Sequence, residues 1–442
     1  MKVLFISLGC DKNLVDSEYM LGNLAKHQFE VTDDESEADV IVINTCCFIH
    51  DAEEESIQTI LEMSAWRAKG PCRALIVCGC LAQRDREEIM EEFPEVDAVL
   101  GTKSTEDIID AVGRTLDGQK YESYQSLDKT EKHAAVRSIS TGGHYAYLKI
   151  AEGCDRRCTY CVIPSIRGPY RSVPVEDLLS EAEELVLQGV KELILVAQET
   201  TWYGMDLYGE RSLARLLRQL NEIDGICWIR LLYCYPEEIG DDLIDAIRDC
   251  EHVCHYIDLP IQHCNTQILK RMGRRTDKES ILACIASLRE KIPDIALRTT
   301  VICGFPGETD EQHKELLAFI DETEFDRLGA FCYSREENTI AAQFPDQIDE
   351  DTKLLWQEDV MELQSEVSLD KNEEMIGQRI TVMIEGKVAD ENAYIGRSYR
   401  DAPDVDGYVF VETDKLLMSG DFVEVQITGA YEYDLIGKPA GG

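Results

Sequence analysis

Three cysteines lie within one short segment in the middle of the chain, at Cys154, Cys158 and Cys161. Three thiols at this CxxxCxxC spacing cannot all form disulfides with one another, so the pattern points to a metal centre. Structural zinc sites usually combine CxxC pairs with a fourth Cys or His close by, which makes zinc the weaker alternative. An iron–sulfur cluster fits better, and three protein ligands leave one iron open to a substrate or cofactor.

A second set of cysteines, Cys10, Cys46 and Cys80, is spaced 36 and 34 residues apart. Each follows one of the first three predicted strands, and open parallel sheets bind ligands at the carboxyl ends of their strands. The spacing therefore predicts a second cluster with an open iron, although three buried cysteines without a ligand are the alternative. Two ligands stay ambiguous, because Cys47 adjoins Cys46, and Cys78 is predicted to share a strand face with Cys80.

The remaining cysteines show no shared spacing that indicates a site. The chain has 17 cysteines, and this odd number does not suggest a disulfide framework. We interpret the others as small core residues in a reduced, cytoplasmic protein. No apolar stretch approaches the roughly 18 residues of a membrane helix, so no membrane contact is expected.

The elements that must position these thiols fall into three segments. Residues 1–116 alternate apolar runs at 2–9, 39–45, 73–79 and near 98 with amphipathic stretches at 16–27, 53–67, 85–93 and 104–115. Strict alternation of strand and helix predicts an α/β fold with a doubly wound parallel sheet. Residues 117–139 are polar and are interpreted as a linker.

The alternation resumes with longer units in residues 140–371. Strands are predicted at 145–151, 193–198, 228–233, 256–260, 296–303 and 327–333, and helices at 175–187, 236–248, 278–291, 310–323 and 352–374. Six such units predict a partial (β/α)6 barrel. Residues 374–442 carry short alternating runs at 380–384, 407–411 and 422–427 between glycine-containing turns, which predicts a small β-barrel.

The motifs together resemble the radical S-adenosylmethionine superfamily, and in particular its methylthiotransferase branch, whose last domain is called TRAM. They look like the RimO type, which modifies a ribosomal protein. The matching segments are residues 9–18, 44–49, 79–81, 152–168, 259–263 and 396–398. Asp11 stands where the family usually has proline. The family pattern implies Cys46 and Cys80, rather than their neighbours Cys47 and Cys78, as cluster ligands.

The resemblance implies two 4Fe-4S clusters and S-adenosylmethionine as cofactors. One cluster would be held by Cys154, Cys158 and Cys161, and the other by Cys10, Cys46 and Cys80. Four residues at predicted strand ends resemble the family's cofactor contacts, with ordinary strand-to-helix turns as the alternative. They are Gln198, Glu199, Gly304 and Glu308.

Charge bears on the substrate. The chain has a formal net charge of −42, and residues 374–442 hold 13 acidic and six basic side chains. An acidic surface repels phosphates and attracts a basic protein. The resemblance implies methylthiolation of the β-carbon of an aspartate in small-subunit ribosomal protein S twelve, free or in the subunit. The resemblance further implies that the reaction uses two S-adenosylmethionine molecules, one as methyl donor and one as radical source. The transferred sulfur would be bound at the second cluster.

Two alternatives remain open. One is methylthiolation of adenosine in transfer RNA by the same chemistry, although the acidity makes RNA contact only secondary. The other is a two-cluster electron carrier, which would normally offer four cysteines per cluster. A low-potential electron donor such as flavodoxin or ferredoxin is the other expected partner.

Overall fold

The computed structural model describes residues 1–129 and 137–441, which form two compact units. Part of the predicted linker, residues 130–136, lies outside the described residues. The first unit comprises Met1–Ser140, Ala151–Val173 and Ser334–Ala342. The second comprises Thr141–Ile150, Pro174–Tyr333 and Gln343–Gly442.

Residues 1–129 form a parallel sheet of six strands in the order β2-β1-β3-β4-β5-β6. Its strands are β1 (Lys2–Ser7), β2 (Glu30–Thr32), β3 (Val40–Thr45), β4 (Ala74–Gly79), β5 (Ala98–Leu100) and β6 (Tyr121–Ser123). Its helices are α1 (Asp11–Lys26), α2 (His50–Lys69), α3 (Cys80–Asp85), α4 (Glu87–Glu92) and α5 (Ile108–Leu116). Strands β3 and β4 are buried along their whole length, because apolar layers cover both faces of the sheet. The predicted doubly wound α/β domain is confirmed.

Several details of this domain differ from the sequence prediction, which missed the edge strand β2 beside β1. Strand β6 lies within the range interpreted as a linker and pairs with β5. The helix predicted at 85–93 corresponds to α4, and α3 was not predicted; Arg86 separates the two helices, because its left-handed φ of 46° does not allow a continuous helix.

A second sheet has the parallel order β14-β13-β12-β11-β10-β7 within residues 137–441, which confirms the predicted (β/α) architecture. A short antiparallel pair, β8 and β9, belongs to the first unit. The strands are β7 (Tyr145–Lys149), β8 (Ala151–Glu152), β9 (Arg171–Ser172), β10 (Glu192–Val196), β11 (Trp228–Leu231), β12 (Val253–Gln262), β13 (Ala296–Cys303) and β14 (Arg327–Cys332). The helices are α6 (Ile163–Arg167), α7 (Val175–Leu187), α8 (Met205–Tyr208), α9 (Leu213–Leu220), α10 (Asp241–Asp249), α11 (Thr266–Arg271), α12 (Lys278–Lys291), α13 (Asp310–Thr323) and α14 (Glu350–Glu373).

The end of the described chain forms a closed barrel in the order β15-β16-β17-β19-β18, as predicted for this segment. Its strands are β15 (Arg379–Lys387), β16 (Ala393–Ser398), β17 (Val409–Glu412), β18 (Phe422–Ala430) and β19 (Leu435–Pro439). Alternate residues such as Val382, Val409 and Val425 fill its interior. Among the helices of the described residues, none combines the length and apolar character needed to cross a bilayer.

Candidate functional site

The cysteines Cys10, Cys46 and Cys80 lie at the carboxyl ends of three neighbouring strands in the first unit. Cys10 immediately precedes α1, Cys46 directly follows β3, and Cys80 directly follows β4 and begins α3. Their thiols are close enough that charges on Cys10 and Cys46 add to the effect of burial, which raises the pKa of Cys80 to about 12. The structure thus brings the three predicted thiols to one edge of the sheet.

Glycine is required at position 9 because the side chain of Cys46 packs directly against it. Gly9 has a φ of 84°, and a Cβ at this position would lie 2.7 Å from the Cys46 sulfur. Gly79 has a φ of 93°, and a Cβ there would lie 2.5 Å from the carbonyl oxygen of Thr45. Both positions therefore combine a left-handed backbone with no space for a side chain, which only glycine tolerates.

Two asparagines fix the loops that carry these thiols. The side-chain amide of Asn13 donates to the carbonyl oxygens of Leu8 (2.8 Å) and Thr45 (3.0 Å). The side-chain amide of Asn44 donates to the Asn13 carbonyl oxygen (2.8 Å) and to the Ser17 hydroxyl (2.9 Å). The first turn of α1 and the ends of β1 and β3 are therefore joined before any ligand binds.

The turn between Cys78 and Cys80 places the two thiols on opposite sides of the sheet. Cys78 faces the apolar layer on one side of the sheet, with its sulfur 4.0 Å from the Met20 sulfur and 3.5 Å from the Ile43 carbonyl oxygen. Cys80 lies on the other side, because the left-handed turn at Gly79 ends the strand alternation. The prediction that Cys78 and Cys80 share a strand face is wrong for this reason.

Cys46 and Cys47 differ in their surroundings. Cys47 is fully buried among apolar side chains that include Ile41 and Leu75. Burial raises its pKa strongly, and a charge on the neighbouring Cys80 raises it further. The backbone of Cys46 instead exchanges two hydrogen bonds with the hydroxyl of Ser56, at 3.0 and 2.8 Å, which fixes this residue beside Gly9. Cys46 is therefore the thiol nearer to Cys10.

The CxxxCxxC loop begins directly after β8 with a tight turn. Gly153 has a φ of 81°, and a Cβ there would lie 2.2 Å from the Pro169 carbonyl oxygen. The Cys154 N–H donates to the carbonyl oxygen of Gly168 (3.1 Å), so the start of the loop is fastened to the end of α6. This close packing explains why glycine precedes the first cysteine.

Within the loop, one backbone N–H faces a cysteine sulfur and another closes a turn. The Arg156 N–H donates to the Cys154 sulfur at 3.4 Å, and the Cys161 N–H donates to the Cys158 carbonyl oxygen at 3.1 Å. Cys154 and Cys158 are buried, and Cys161 is half-buried. An N–H···S contact stabilises a thiolate, as hydrogen bonds to sulfur do in iron–sulfur sites.

Arg167, at the end of α6, is a functional candidate that the sequence analysis missed. Its guanidinium is 2% exposed and donates to Asp16 (2.5 Å), Glu152 (3.2 Å), the Asn13 side-chain oxygen (2.6 Å) and the Cys80 sulfur (3.3 Å). Arg167 lies in the segment 152–168, which matches the family pattern, but its partners become visible only in the folded structure.

The predicted S-adenosylmethionine contacts belong to the second unit. Gln198 and Glu199 follow β10, and Glu199 is buried. Gly304 follows β13 with a φ of 74°. The carboxylate of Glu308 accepts the Gly304 N–H (2.8 Å) and another N–H of the same turn, and its other oxygen lies 3.2 Å from His263 Nε2. Glu308 therefore organises this turn, and its contact with the cofactor stays a prediction.

Each set of three thiols supplies the donor type that a four-iron cluster uses. Among the described residues, no three His, Cys, Asp or Glu side chains converge closely enough to hold one metal ion. The ligands of a 4Fe-4S cluster bind different irons and so stand farther apart. The strand-end thiols and the N–H···S contact at Cys154 fit such a group.

Fold and site together define a radical S-adenosylmethionine protein. Residues 148–320 match the radical SAM superfamily, residues 2–101 match the uncharacterized protein family UPF0004, and residues 376–439 match the TRAM domain. The chain is 56% identical over 437 residues to the ribosomal protein uS12 methylthiotransferase RimO of Lachnoclostridium phytofermentans, with 99% of each chain covered. It is 51% identical to the RimO of Pelotomaculum thermopropionicum, again with 99% of each covered. The chain belongs to the RimO family of radical SAM methylthiotransferases.

Solved structures with low sequence identity share the fold. The radical S-adenosylmethionine methyltransferase TsrM from Kitasatospora setae has 14% identity and a TM-score of 0.55, covering 88% of this chain and 79% of TsrM. The cobalamin-dependent radical enzyme OxsB has 15% identity and a TM-score of 0.53, covering 82% of this chain and 56% of OxsB. These likenesses concern the fold alone.

Proposed function

We propose that this enzyme transfers a methylthio group to the β-carbon of an aspartate in ribosomal protein uS12, the S twelve protein of the sequence analysis. The observation that carries the proposal is the presence of two three-thiol sets within one compact unit, each a ligand short of a closed 4Fe-4S site. An electron carrier would normally use four cysteines per cluster. The proposal also follows the activity in the names of the RimO relatives, which match nearly the whole chain.

In this proposal the chain holds two 4Fe-4S clusters. Cys154, Cys158 and Cys161 ligate one, and Cys10, Cys46 and Cys80 ligate the other. When bound, the clusters and two S-adenosylmethionine molecules supply the methyl group, the sulfur and the carbon-centred radical.

The chain's own residues position these groups and exclude water. Asn13 and Asn44 fix two of the three strand ends, and burial of Cys46 and Cys80 keeps solvent from the second thiol set. Gln198, Glu199, Gly304 and Glu308 are proposed to contact S-adenosylmethionine at the carboxyl ends of β10 and β13, where (β/α) sheets bind their ligands.

The charge of the terminal barrel favours a basic protein over RNA as substrate. Of the six basic side chains in residues 374–442, Arg397 and Arg400 are buried in ion pairs with Glu192, Glu385 and Asp326. These two cations are therefore not available to phosphates on the surface. In residues 374–442 eight acidic side chains are exposed against four basic ones, and such a surface would repel a phosphate backbone and attract a basic protein.

The remaining parts of the proposal concern organisation and partners. The domains are residues 1–116 with the added strand β6, a linker that ends at 139, a radical SAM core at 140–371 and a TRAM domain at 374–442. A low-potential donor such as flavodoxin or ferredoxin supplies electrons. A ribosomal protein substrate implies that the enzyme acts in the cytoplasm.

The test is an anaerobic assay of the full chain reconstituted with iron and sulfide. The enzyme, S-adenosylmethionine and dithionite are mixed with uS12 or with transfer RNA, and each substrate is analysed by mass spectrometry. We expect a methylthio group on one aspartate and unmodified RNA. The Cys158→Ala variant should lose S-adenosylmethionine cleavage, whereas Cys284→Ala, which removes a half-buried thiol on α12, should retain it. Modified adenosine with unmodified protein would establish the RNA alternative, and no S-adenosylmethionine cleavage would favour an electron carrier.

A further inference from the structure

The guanidinium of Arg167 contacts Cys80 of the second thiol set and Glu152, which lies two residues before the first cysteine of the other set. One terminal nitrogen, Nη1, donates to Asp16 and to Glu152, the residue that precedes the Gly153-Cys154 turn. The other, Nη2, donates to the Asn13 side-chain oxygen and to the Cys80 sulfur. One side chain thus contacts both a residue beside the first thiol set and a member of the second.

The charges around Arg167 explain why it is buried as a cation. Asp16, Glu152 and Arg167 are all less than a tenth exposed, and a buried charge is costly unless it is paired and hydrogen-bonded. The carboxylates of Asp16 and Glu152 form these ion pairs with Arg167, at 2.5 and 3.2 Å. The two carboxylates already more than balance the charge of the guanidinium. The contact with the Cys80 sulfur is therefore not needed to neutralise Arg167.

The contact with Cys80 has the geometry of a charge-assisted hydrogen bond to a thiolate. Its length of 3.3 Å is ordinary for a nitrogen donor and the larger sulfur atom. Arg167 itself is anchored at three oxygen acceptors, which fix the direction of the N–H that faces Cys80. Anchoring of this kind orients a ligand much as outer-shell partners orient ligands at metal sites.

We propose that Arg167 is a positioning residue of the second cluster: it orients Cys80 as a thiolate ligand and raises the reduction potential of that cluster. The inference rests on the proposed function, because that proposal assigns Cys80 to a cluster. Hydrogen bonds to cluster sulfurs and nearby positive charge favour the reduced form. Asp16 opposes this effect, because its carboxylate neutralises part of the guanidinium charge.

Substitutions of Arg167 and of its neighbour Asp16 should shift the reduction potential of the second cluster in opposite directions. Arg167→Met removes the donor and the positive charge, and so should move the potential to more negative values. Asp16→Asn keeps a side-chain acceptor but removes the opposing charge, and so should move the potential to more positive values. Arg167→Lys keeps the positive charge but lacks the rigid, planar set of donors. Its cluster potential should therefore lie between that of Arg167→Met and that of the parent.

The experiment uses the full chain with Cys154, Cys158 and Cys161 changed to Ala, so that only the second cluster can assemble. Iron and sulfide are quantified, and the reduction potential is measured by dithionite titration with electron paramagnetic resonance. The matched control is Arg137→Met. Arg137 is also buried and binds Glu18 on the same helix α1, at 2.9 and 2.6 Å, so its loss should lower the thermal stability without moving the potential.

The outcomes separate the inference from the proposed function. If the three-alanine background assembles no 4Fe-4S cluster, the assignment of Cys10, Cys46 and Cys80 fails, and the inference fails with it. If the cluster assembles but Arg167→Met and Asp16→Asn leave its potential unchanged or shift it in the same direction, Arg167 has only a structural role. If Arg167→Met is the one variant that loses the cluster, the potentials of Arg167→Lys and Asp16→Asn decide. A more negative potential in Arg167→Lys together with a more positive potential in Asp16→Asn supports the inference. Any other pair of results overturns it.

Discussion

Two buried arginines, Arg167 in the first unit and Arg397 in the second, are held by similar partners but differ in one acceptor. Arg397 donates to Glu385 (2.6 Å), to Glu192 (2.7 Å) and to the Asp401 carbonyl oxygen (3.1 Å). Arg167 also binds two carboxylates, but one of its N–H groups faces the sulfur of Cys80. A guanidinium bound to oxygen acceptors completes a structural network, whereas one that also faces a thiol can act on a cluster.

The network around Arg397 lies at the amino ends of the strands in the second sheet. Glu192 is the first residue of β10 and also pairs with Arg230 (2.7 Å), and Arg327, the first residue of β14, pairs with Asp401 (2.6 Å). In (β/α) folds the amino ends serve stability and the carboxyl ends carry the chemistry. The terminal barrel is thus attached at the stability end of this sheet, while Gln198 and Gly304 occupy the opposite end.

The largest expected effect separates Cys80 from Cys78. Cys80→Ala should abolish methylthiolation and lower the iron content to that of one cluster, because it removes a ligand that faces Arg167. Cys78→Ala should keep both clusters and cost about 1 kcal/mol, since it removes a sulfur from the apolar layer beside Met20. Iron analysis and the uS12 assay measure the first effect, and urea unfolding measures the second. Loss of a cluster in Cys78→Ala with retention in Cys80→Ala would reverse the assignment.

A large effect on stability, without an effect on the clusters, is expected for Arg397. Arg397→Met removes one of the two basic partners of both Glu192 and Glu385, and removal of one member of a buried ion pair costs about 3–5 kcal/mol. The urea midpoint should fall, while the potential of the second cluster stays that of the parent. Arg167→Met should also destabilise the chain but should move the potential. An Arg397→Met shift in potential as large as that of Arg167→Met would remove the distinction between the two arginines.

The sequence predicted the thiol sets because their positions follow from local patterns. Cys46 and Cys80 each follow an apolar run directly, and a strand-helix unit separates them. The side on which Cys78 lies was mispredicted, because strand alternation assumes a continuous strand and Gly79 interrupts it with a positive φ. Arg167 could not be found in this way, because its partners are 15 to 154 residues away along the chain.

Fold prediction succeeded where a continuous apolar run forms a buried strand and failed where tertiary contacts decide. The buried strands β3, β4 and β13 were predicted within one or two residues. The predicted helix at 236–248 begins only at Asp241, because residues 236–238 form a short 3-10 turn. Strands β16 and β19 were missed, since β16 is polar at its carboxyl end and β19 contains glycine and proline. Both are stabilised by closure of the barrel rather than by their own pattern.

A moderate effect is expected from acid on the second unit. Burial alone would raise the pKa values of Glu192 and Glu385, but Arg397 with Arg230 at the first, and His144 with Arg397 at the second, lower both below the ordinary 4.5. A depressed pKa in the folded state stabilises the fold above the unfolded value and loses this contribution as the pH falls through the folded value. For the chain purified without iron, the urea concentration at the midpoint of unfolding should therefore decrease as the pH is lowered below about 4.5.

The acid-dependence is tested with the variant Glu192→Gln and the matched control Glu391→Gln. Glu192→Gln removes a buried titrating carboxylate, so its stability should be lower at pH 7 and depend less on pH below 5. Glu391 is exposed on the terminal barrel, and Glu391→Gln should keep the pH profile of the parent. Parallel profiles for Glu192→Gln and the parent would show that this carboxylate does not titrate differently in the folded chain.

The smallest effect is expected for the exposed cations of the terminal barrel, which contrast with its buried Arg397 and Arg400. The four are Arg379, Lys387, Lys415 and Lys438. Lys438 pairs with Glu412 at 3.3 Å, but both side chains are more than half exposed, and such a pair contributes at most about 1 kcal/mol. Changing all four cations to Gln should leave kcat/KM for uS12 within about twofold, because a basic substrate has no use for them.

The opposite substitution gives this prediction its control. Changing the exposed Glu391, Glu412 and Asp414 of the same barrel to Gln should raise KM for uS12 at low salt and have little effect at high salt, where charges are screened. A tenfold or larger loss in the four-cation variant, with no change in the three-acid variant, would mean that the barrel binds phosphates despite its net charge. The surface cations would then be functional, and the buried arginines would be the minor part of the barrel's role.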